Sequence, residues 1–376
     1  MEKQIVGLTA VALAVTLSNA SFADSTVKIG YIGPLTGPQA QSGKDTQRGV
    51  QMAVDELNAK GIKVAGQNAR FELLSADDQG DPKAGVTAAQ KLVDGGVTYV
   101  IGHFNSGVNI PAARVYNEAH VINISPAASN PTLTTLGYPY IFRLSANDNV
   151  MGARVADYAA KTLKETSVSV VDDRAAYGAG VADVFVESAK KNGMQVLSRE
   201  YGTVNSTDFK AILTKIKAEK PQAIFYGGYY AQAAVLGRQM RELGIDAVLL
   251  GGDGICSPQL GILSSGALDN RVFCAQGGTP LDTLAGGAEF RSRFKAKFGV
   301  DVDVYAPAYY AATMVAAQAM QKASSVDPEV VVKTLSSQPF TSLLGPVRFD
   351  KQGEWIDAPV TIYTLGDGAL KSVTHK

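Results

Sequence analysis

From Val27 onward, short apolar runs alternate with amphipathic segments of helical period along almost the whole chain. "VKIGYIG" at 27–33 reads as a buried strand, and Val50, Ala53, Val54 and Leu57 then fall at i, i+3, i+4 and i+7, one face of a helix that Gly61 would stop. "RFELLSADD" is the next strand, followed by a helix with Pro82 in its first turn and Val86, Ala89 and Val93 on one side. "TYVIGH" is a strand, "GVNIPAARVYNEAH" mostly helix, and "VINISPAAS" a strand running into a loop. The pattern then recurs through "SVSVVDD", a helix over 179–191 ended by Gly193, "MQVLSREYG", "DFKAILTKIKAEK", "QAIFYGGY", "AAVLGRQMREL" and "DAVLLGGDG". Alternation of this kind predicts an α/β fold of parallel sheets with helices on both faces. A chain of 376 residues exceeds what one core usually serves, so two Rossmann-like α/β lobes are expected.

In such sheets ligands bind beyond the carboxyl ends of the strands. The loops there are "GPLTGPQAQSG", "DDQGDP", "GHFNSG", "SPAASNP", "DDRAAYGAG", "YGGYYAQ" and "GGDGICSP", rich in Gly, Ser, Ala and Tyr. Several offer main-chain N–H groups at a helix start, which suits an anion, although Gly and Ser at strand ends are also ordinary turn chemistry. The first loop is no phosphate cradle. Five residues separate Gly37 from Gly43 where a P-loop has four, and Asp45 follows Lys44 where a magnesium-binding hydroxyl is required. Gly30, Gly33 and Gly37 also miss the dinucleotide spacing.

The N-terminus carries Lys3, then an apolar run over 5–17, then Ser21 and Ala23 as small residues before a cleavage point. This is the pattern of a secretory signal peptide over residues 1–23, too short for a comfortable membrane span. An exported chain is expected, periplasmic in a Gram-negative host. Exported proteins with two cysteines usually pair them, so Cys256 and Cys274 are expected to form a disulfide. Two thiols without nearby histidines make only half a zinc site. With 35 basic and 35 acidic residues the chain has no net charge, and nothing in it suggests nucleic acid.

Catalytic signatures are weak. Of the three histidines, His375 is next to the last residue and His120 closes a helix, where a positive group is favourable anyway. His103 sits in a strand-end loop, where hydrogen-bonded structure is the commoner role. Asp77, Asp78, Asp172, Asp173 and Asp253 lie near strand ends, where Asp is more often a cap than an acid–base catalyst. There is no G-x-S-x-G elbow and no H-E-x-x-H. Nothing requires an enzyme or a cofactor.

Taken in order, "GPLTGPQAQSGKDTQRGVQMAVDELNAKGI", "DDQGDP", "YVIGH", "SPAASNPTLT", "AYGAG", "YGGYY" and "GGDG" resemble the periplasmic leucine/isoleucine/valine-binding proteins, type I periplasmic binding proteins that serve branched-chain amino acid ABC importers. The resemblance covers nearly the whole chain after the signal. It implies two lobes joined by a three-segment hinge, one of residues 24–147 and 278–357, the other of 148–277 and 358–376, with an amino acid between them. It places Ser106 and Ser129 on the ligand carboxylate. The ammonium would meet the backbone of Ala127, in the loop that continues through Ala128, and the acid Asp253. Tyr177 and Tyr229 would cover the ligand, and Tyr305 would edge the pocket.

Three departures from the family stand out. Ser42 replaces a frequent tyrosine, which would leave room for a larger or more polar side chain. Asp253 stands where glutamate is common. Gly80 and Asn105 occupy the positions of a first-lobe disulfide. The partners implied are a small α-amino acid and the permease and ATPase subunits, with the receptor a monomer. Another amino acid, an amide or a small carboxylate stays open as the ligand, as does a role as a periplasmic sensor.

Overall fold

The computed structural model describes residues 25–373; the signal peptide expected over 1–23 and His375 lie outside them. The chain first builds strands β1 (Ser25–Gly33), β2 (Lys63–Val64), β3 (Gln67–Asp77), β4 (Tyr99–Gly102), β5 (Ile122–Ser125) and β6 (Ile141–Arg143). They form one sheet in the order β2-β3-β1-β4-β5-β6, parallel except for β2, which pairs antiparallel with β3. Helices α1 (Ala40–Lys60), α2 (Pro82–Asp94), α3 (Ser106–Glu118) and the short α4 (Thr132–Thr135) connect them. Asp81 caps α2 by accepting from the N–H groups of Lys83 and Ala84, and Pro82 follows at the first helical position.

The chain then crosses to a second sheet. Helix α5 (Asp148–Tyr158) leads to β7 (Ser167–Asp172), α6 (Ala176–Lys191), β8 (Gln195–Tyr201), α7 (Lys210–Glu219), β9 (Ala223–Gly227), α8 (Tyr230–Glu242), β10 (Val248–Gly251), α9 (Pro258–Ser264) and β11 (Val272–Gly277). On α7 the expected face is buried at Leu213 and Ile216, with Phe209 just ahead of the helix. The chain returns to the first half with α10 (Gly287–Phe298), α11 (Ala306–Ala323), α12 (Pro328–Leu335) and the hairpin β12 (Phe340–Ser342) and β13 (Gly345–Val347). It crosses once more to finish as β14 (Val360–Gly366) and β15 (Ala369–Ser372). The second sheet therefore runs β15-β14-β11-β10-β9-β7-β8, parallel from β8 to β11 and antiparallel at β14 and β15. The alternation in the sequence predicts parallel sheets, and parallel pairing dominates both. Two of the exceptions, β2–β3 and β14–β15, are hairpins, where a short turn reverses the chain and no crossover helix is needed; the third, β14 against β11, comes from the last crossing, which brings the chain back beside β11 in the opposite direction.

The three crossings lie side by side. The Gly278 N–H donates to the Pro359 carbonyl at 2.7 Å, the Thr361 hydroxyl donates to the Gly278 carbonyl at 2.8 Å, and a β-carbon on Gly277 would lie 3.0 Å from the Ala146 nitrogen. Returning helix α11 packs along α1 so closely that a β-carbon at Gly49 would lie 2.4 Å from the Ala306 carbonyl oxygen. Asp45 reinforces that contact, accepting from the N–H groups of Asp303 and Ala306 at 3.1 Å each. Among the described residues no helix is long and apolar enough to cross a membrane.

Candidate functional site

Glycine explains the first loop. A β-carbon at Gly43 would lie 2.0 Å from the Pro34 carbonyl oxygen, so only glycine lets α1 start this close to the end of β1. The Tyr31 hydroxyl, buried beneath, donates to the Gly43 carbonyl at 2.6 Å.

His103 is structural. Its Nδ1 pairs with Asp78 Oδ2 at 2.7 Å and its Nε2 with the Tyr116 hydroxyl at 2.8 Å, all three groups fully buried. Asp78 Oδ1 also accepts from the Gly80 N–H at 2.9 Å. The network fixes the turn between β4 and α3, and Ser106 opens α3. Asp77, Asp172 and Asp173 likewise hold turn N–H groups, and Asp172 pairs with Arg199 at 2.7 Å. His120 stacks on Tyr140 and meets Glu329 at 2.9 Å in solvent.

The loop after β5 is clamped from several sides. Ser106 Oγ accepts from the Asn130 N–H at 3.1 Å, and Ser125 Oγ accepts from the Ala128 N–H at 3.1 Å. Arg143, wholly buried, donates through Nη1 to the carbonyls of Ala128 and Asn130 at 2.7 and 3.0 Å and pairs with Glu354 at 2.9 Å. The Ala128 carbonyl is thus occupied by the arginine, while Ala127 and Ser129 face a small cavity.

Phe104, Ser106, Ala127, Ser129, Tyr177, Tyr229, Asp253, Gly254 and Tyr305 line that cavity. It lies between the two sheets, against the carboxyl ends of β4, β5, β9 and β10. Seven of the residues singled out in the sequence thus meet in one place, and Ala128 stands just behind. Ser42 does not line it. Its hydroxyl is buried without a partner in the first turn of α1, beside Tyr230, whose hydroxyl reaches across to donate to the Pro38 carbonyl at 3.1 Å. The space expected near Ser42 is therefore not part of the cavity. Gly80 and Asn105 do lie together, since a β-carbon on Gly80 would be 3.4 Å from Asn105 Oδ1.

The second half supplies the other wall. Tyr177 Oη accepts from the Gly254 N–H at 2.7 Å and its ring packs 5.1 Å from that of Tyr229. Cys256 and Cys274 are bonded, tying the Asp253 loop to β11. Asp253 Oδ1 and Ser129 Oγ are buried without hydrogen-bond partners. Burial pushes the Asp253 carboxyl up to about 6, with the phenols of Tyr177 and Tyr305 acting the other way. Asp148, at the start of α5, is fully buried with neither oxygen partnered, and burial together with Asp253 raises it well above the carboxylate range. Two acids with no cation between them would be stabilised by one, because an unpaired buried charge is costly.

A family model described as periplasmic binding protein matches residues 26–369. The chain belongs to that family. The Leu/Ile/Val-binding protein homolog 1 of Brucella abortus is 34% identical over 355 residues, covering 94% of each chain. The leucine binding protein LivK of Thermotoga maritima superposes with a TM-score of 0.85 at 27% identity, covering 93% of this chain and 98% of that one. The branched-chain amino acid transporter substrate-binding protein LivJ of Streptococcus pneumoniae, solved with isoleucine, gives 0.84 at 26% identity over 93% and 99%. The fold expected from the alternation and the resemblance is the fold of this family. In this binding protein, sequence reasoning missed Phe104, Gly254 and Asp148. Phe104 and Gly254 stand inside loops already marked at strand ends, whereas Asp148 carries no local signal beyond its place in the first turn of a helix.

Proposed function

We propose that the protein is the periplasmic solute receptor of an ABC importer and that it captures an α-amino acid, with the branched-chain class as the first to test. The observation that carries the reading is the pairing of unpartnered groups across one cavity, the Ser129 hydroxyl from the first half and the Asp253 carboxyl from the second. A zwitterion needs both a donor for its carboxylate and an acid for its ammonium. Ser106 and Ser129 would take the carboxylate. The Ala127 carbonyl and Asp253 would take the ammonium, and Tyr177, Tyr229 and Tyr305 would enclose the rest. The names of the relatives support the class.

Capture would work by closure about the three adjacent crossings, with residues 24–147 and 278–357 moving against 148–277 and 358–376. A ligand that touches both walls favours the state in which they meet. The closed receptor, acting as a monomer, would dock on a permease coupled to an ATPase. Export would rest on the signal-like residues 1–23. No covalent step and no cofactor enters this mechanism.

Calorimetric titration of ligand-stripped protein with free amino acids, alongside Asp253→Ala, tests the reading. Binding that the substitution abolishes supports it. No binding of any α-amino acid overturns it and turns the search to amides and small carboxylates.

A further inference from the structure

Asp148 opens α5, is fully buried, and has no hydrogen-bond partner on either carboxyl oxygen. Acids at a helix start usually hold its free N–H groups, but here Asn147 does so, accepting from the Val150 N–H at 3.4 Å. Asp148 is tied instead to Ser129, whose carbonyl accepts its main-chain N–H at 2.9 Å. Ser129 Oγ is likewise buried without a partner. Burial raises the Asp148 carboxyl most and Asp253 adds to this, while the Ser129 hydroxyl and Arg143 act the other way and Glu354 raises it again, so these groups stand around it. The phenols of Tyr177 and Tyr229 lie within reach of its charge. The nearby cation is already engaged. Arg143 Nε and Nη2 serve Glu354 and Thr134, and Nη1 serves the carbonyls of Ala128 and Asn130.

We propose that Asp148 is a positioning residue for the bound ligand: as a neutral acid it donates its O–H to Ser129 Oγ and so turns the Ser129 hydroxyl toward the ligand carboxylate. The inference rests on the α-amino-acid reading above and deepens it. One ammonium satisfies one acid. Asp253 lines the cavity and Asp148 does not, so the ammonium falls to Asp253. An ionised Asp148 would then be a second buried charge with neither a cation nor a donor, which is costly. It would also draw the Ser129 O–H to itself and leave only hydroxyl lone pairs facing the carboxylate, acceptor against acceptor. The neutral acid reverses that order. Its O–H points at Ser129 Oγ, the Ser129 O–H is left for the ligand, and bonds in such a chain strengthen one another.

The test is calorimetric titration of the mature, ligand-stripped protein with alanine, valine, isoleucine and leucine at about pH 7.5, above the range in which Asp253 titrates. It is repeated on Asp148→Ala, Asp148→Asn, Ser129→Ala and the double variant Asp148→Ala with Ser129→Ala, with melting curves to confirm that each folds. Asp148→Ala removes the donor and should weaken every amino acid that binds by roughly tenfold. Asp148→Asn should restore most of that loss, because its amide N–H donates where the acid O–H did. In the Ser129→Ala background the Asp148→Ala loss should vanish, since the two residues act through one chain. Binding heats compared in phosphate and in Tris should show no proton released. A loss in Asp148→Asn as large as in Asp148→Ala, or a released proton that Asp148→Asn abolishes, means that Asp148 acts as an anion and overturns the proposal. So does affinity that ignores Asp148→Ala, or a loss that persists without the Ser129 hydroxyl. In each of those cases α-amino acids still bind and the headgroup reading stands. Failure of every amino acid to bind the parent overturns that reading and this assignment with it.

Discussion

The Tyr305 hydroxyl donates to the main-chain carbonyl of Asp253 at 2.8 Å, linking the segment before α11 to the loop after β10 across the cavity. Both residues also line that cavity, so one hydrogen bond joins the two halves at the site itself. Tyr305→Phe removes the donor and leaves a buried carbonyl unsatisfied, a loss of about 1–3 kcal/mol in such settings. The melting temperature of the ligand-free protein should fall by a few degrees, and ligand affinity by about tenfold by titration.

Asp253→Asn should act in opposite directions on binding and on stability. The bound ammonium loses its charged partner, and affinity should drop by at least about 100-fold, in line with truncated buried charge pairs. The ligand-free protein should gain stability at neutral pH. Burial raises the Asp253 carboxyl from 3.8 to about 6, so the folded state binds a proton that the unfolded state releases in that window. The stability of the parent therefore falls as pH rises from about 4 to about 6, and the substitution removes this dependence. Denaturant melts across that range, with and without the substitution, check the sign.

Asp303 extends the same dependence to the contact between the halves. Burial raises its carboxyl to about 6, and the Ser257 hydroxyl donates to it at 3.2 Å from beside the disulfide. Asp45, whose carboxyl accepts the Asp303 N–H, is also raised, by burial and by Asp303. Asp303→Asn should flatten a further part of the stability loss between pH 4 and 6, seen in the same melts.

Replacing both Cys256 and Cys274 with serine should lower stability. The bridge closes a separation of 18 residues, for which chain entropy supplies about 3 kcal/mol. The melting temperature should fall by several degrees. Affinity should fall as well, since the Asp253 loop loses its tie to β11.

Arg143→Met leaves Glu354 without its cation and strips the donors from the Ala128 and Asn130 carbonyls. Breaking a buried pair from one side costs about 3–5 kcal/mol. Arg143→Met with Glu354→Gln should recover part of the stability. It should recover little of the affinity, because the loop carrying Ala127 and Ser129 stays unclamped.

That pair shows where the sequence stops being legible. The order of strands and helices, and the loops at the strand ends, follow from local periodicity and from Gly, Pro and Asp at turns. The family resemblance then picked the cavity residues out of those loops. Arg143 and Glu354 are 211 positions apart, and no pattern around either residue announces the other. The same holds for Asp148, unremarkable until α5 brings it near Asp253. Ser42 misled because its position in sequence says nothing about Tyr230, which arrives from the other sheet. Phe104 stood in a marked loop, but a lone aromatic between His103 and Ser106 reads as core until its ring is seen against Tyr305. The reversal at β14 was invisible for a different reason. Its apolar run suits either strand direction, and only its pairing with β11 decides.

The triple crossing has a practical outcome for anyone who would dissect the molecule. No single cut separates the halves. A fragment ending after β11 keeps α1 but lacks α11, and would expose Val50, Val54 and the other apolar groups that α11 covers. It would also lack β14 and β15, leaving β11 as a bare sheet edge. Transplanting one wall of the cavity into a relative, or splitting the chain for a complementation reporter, therefore calls for paired breakpoints near 146, 278 and 359, where the strands of the crossing already touch.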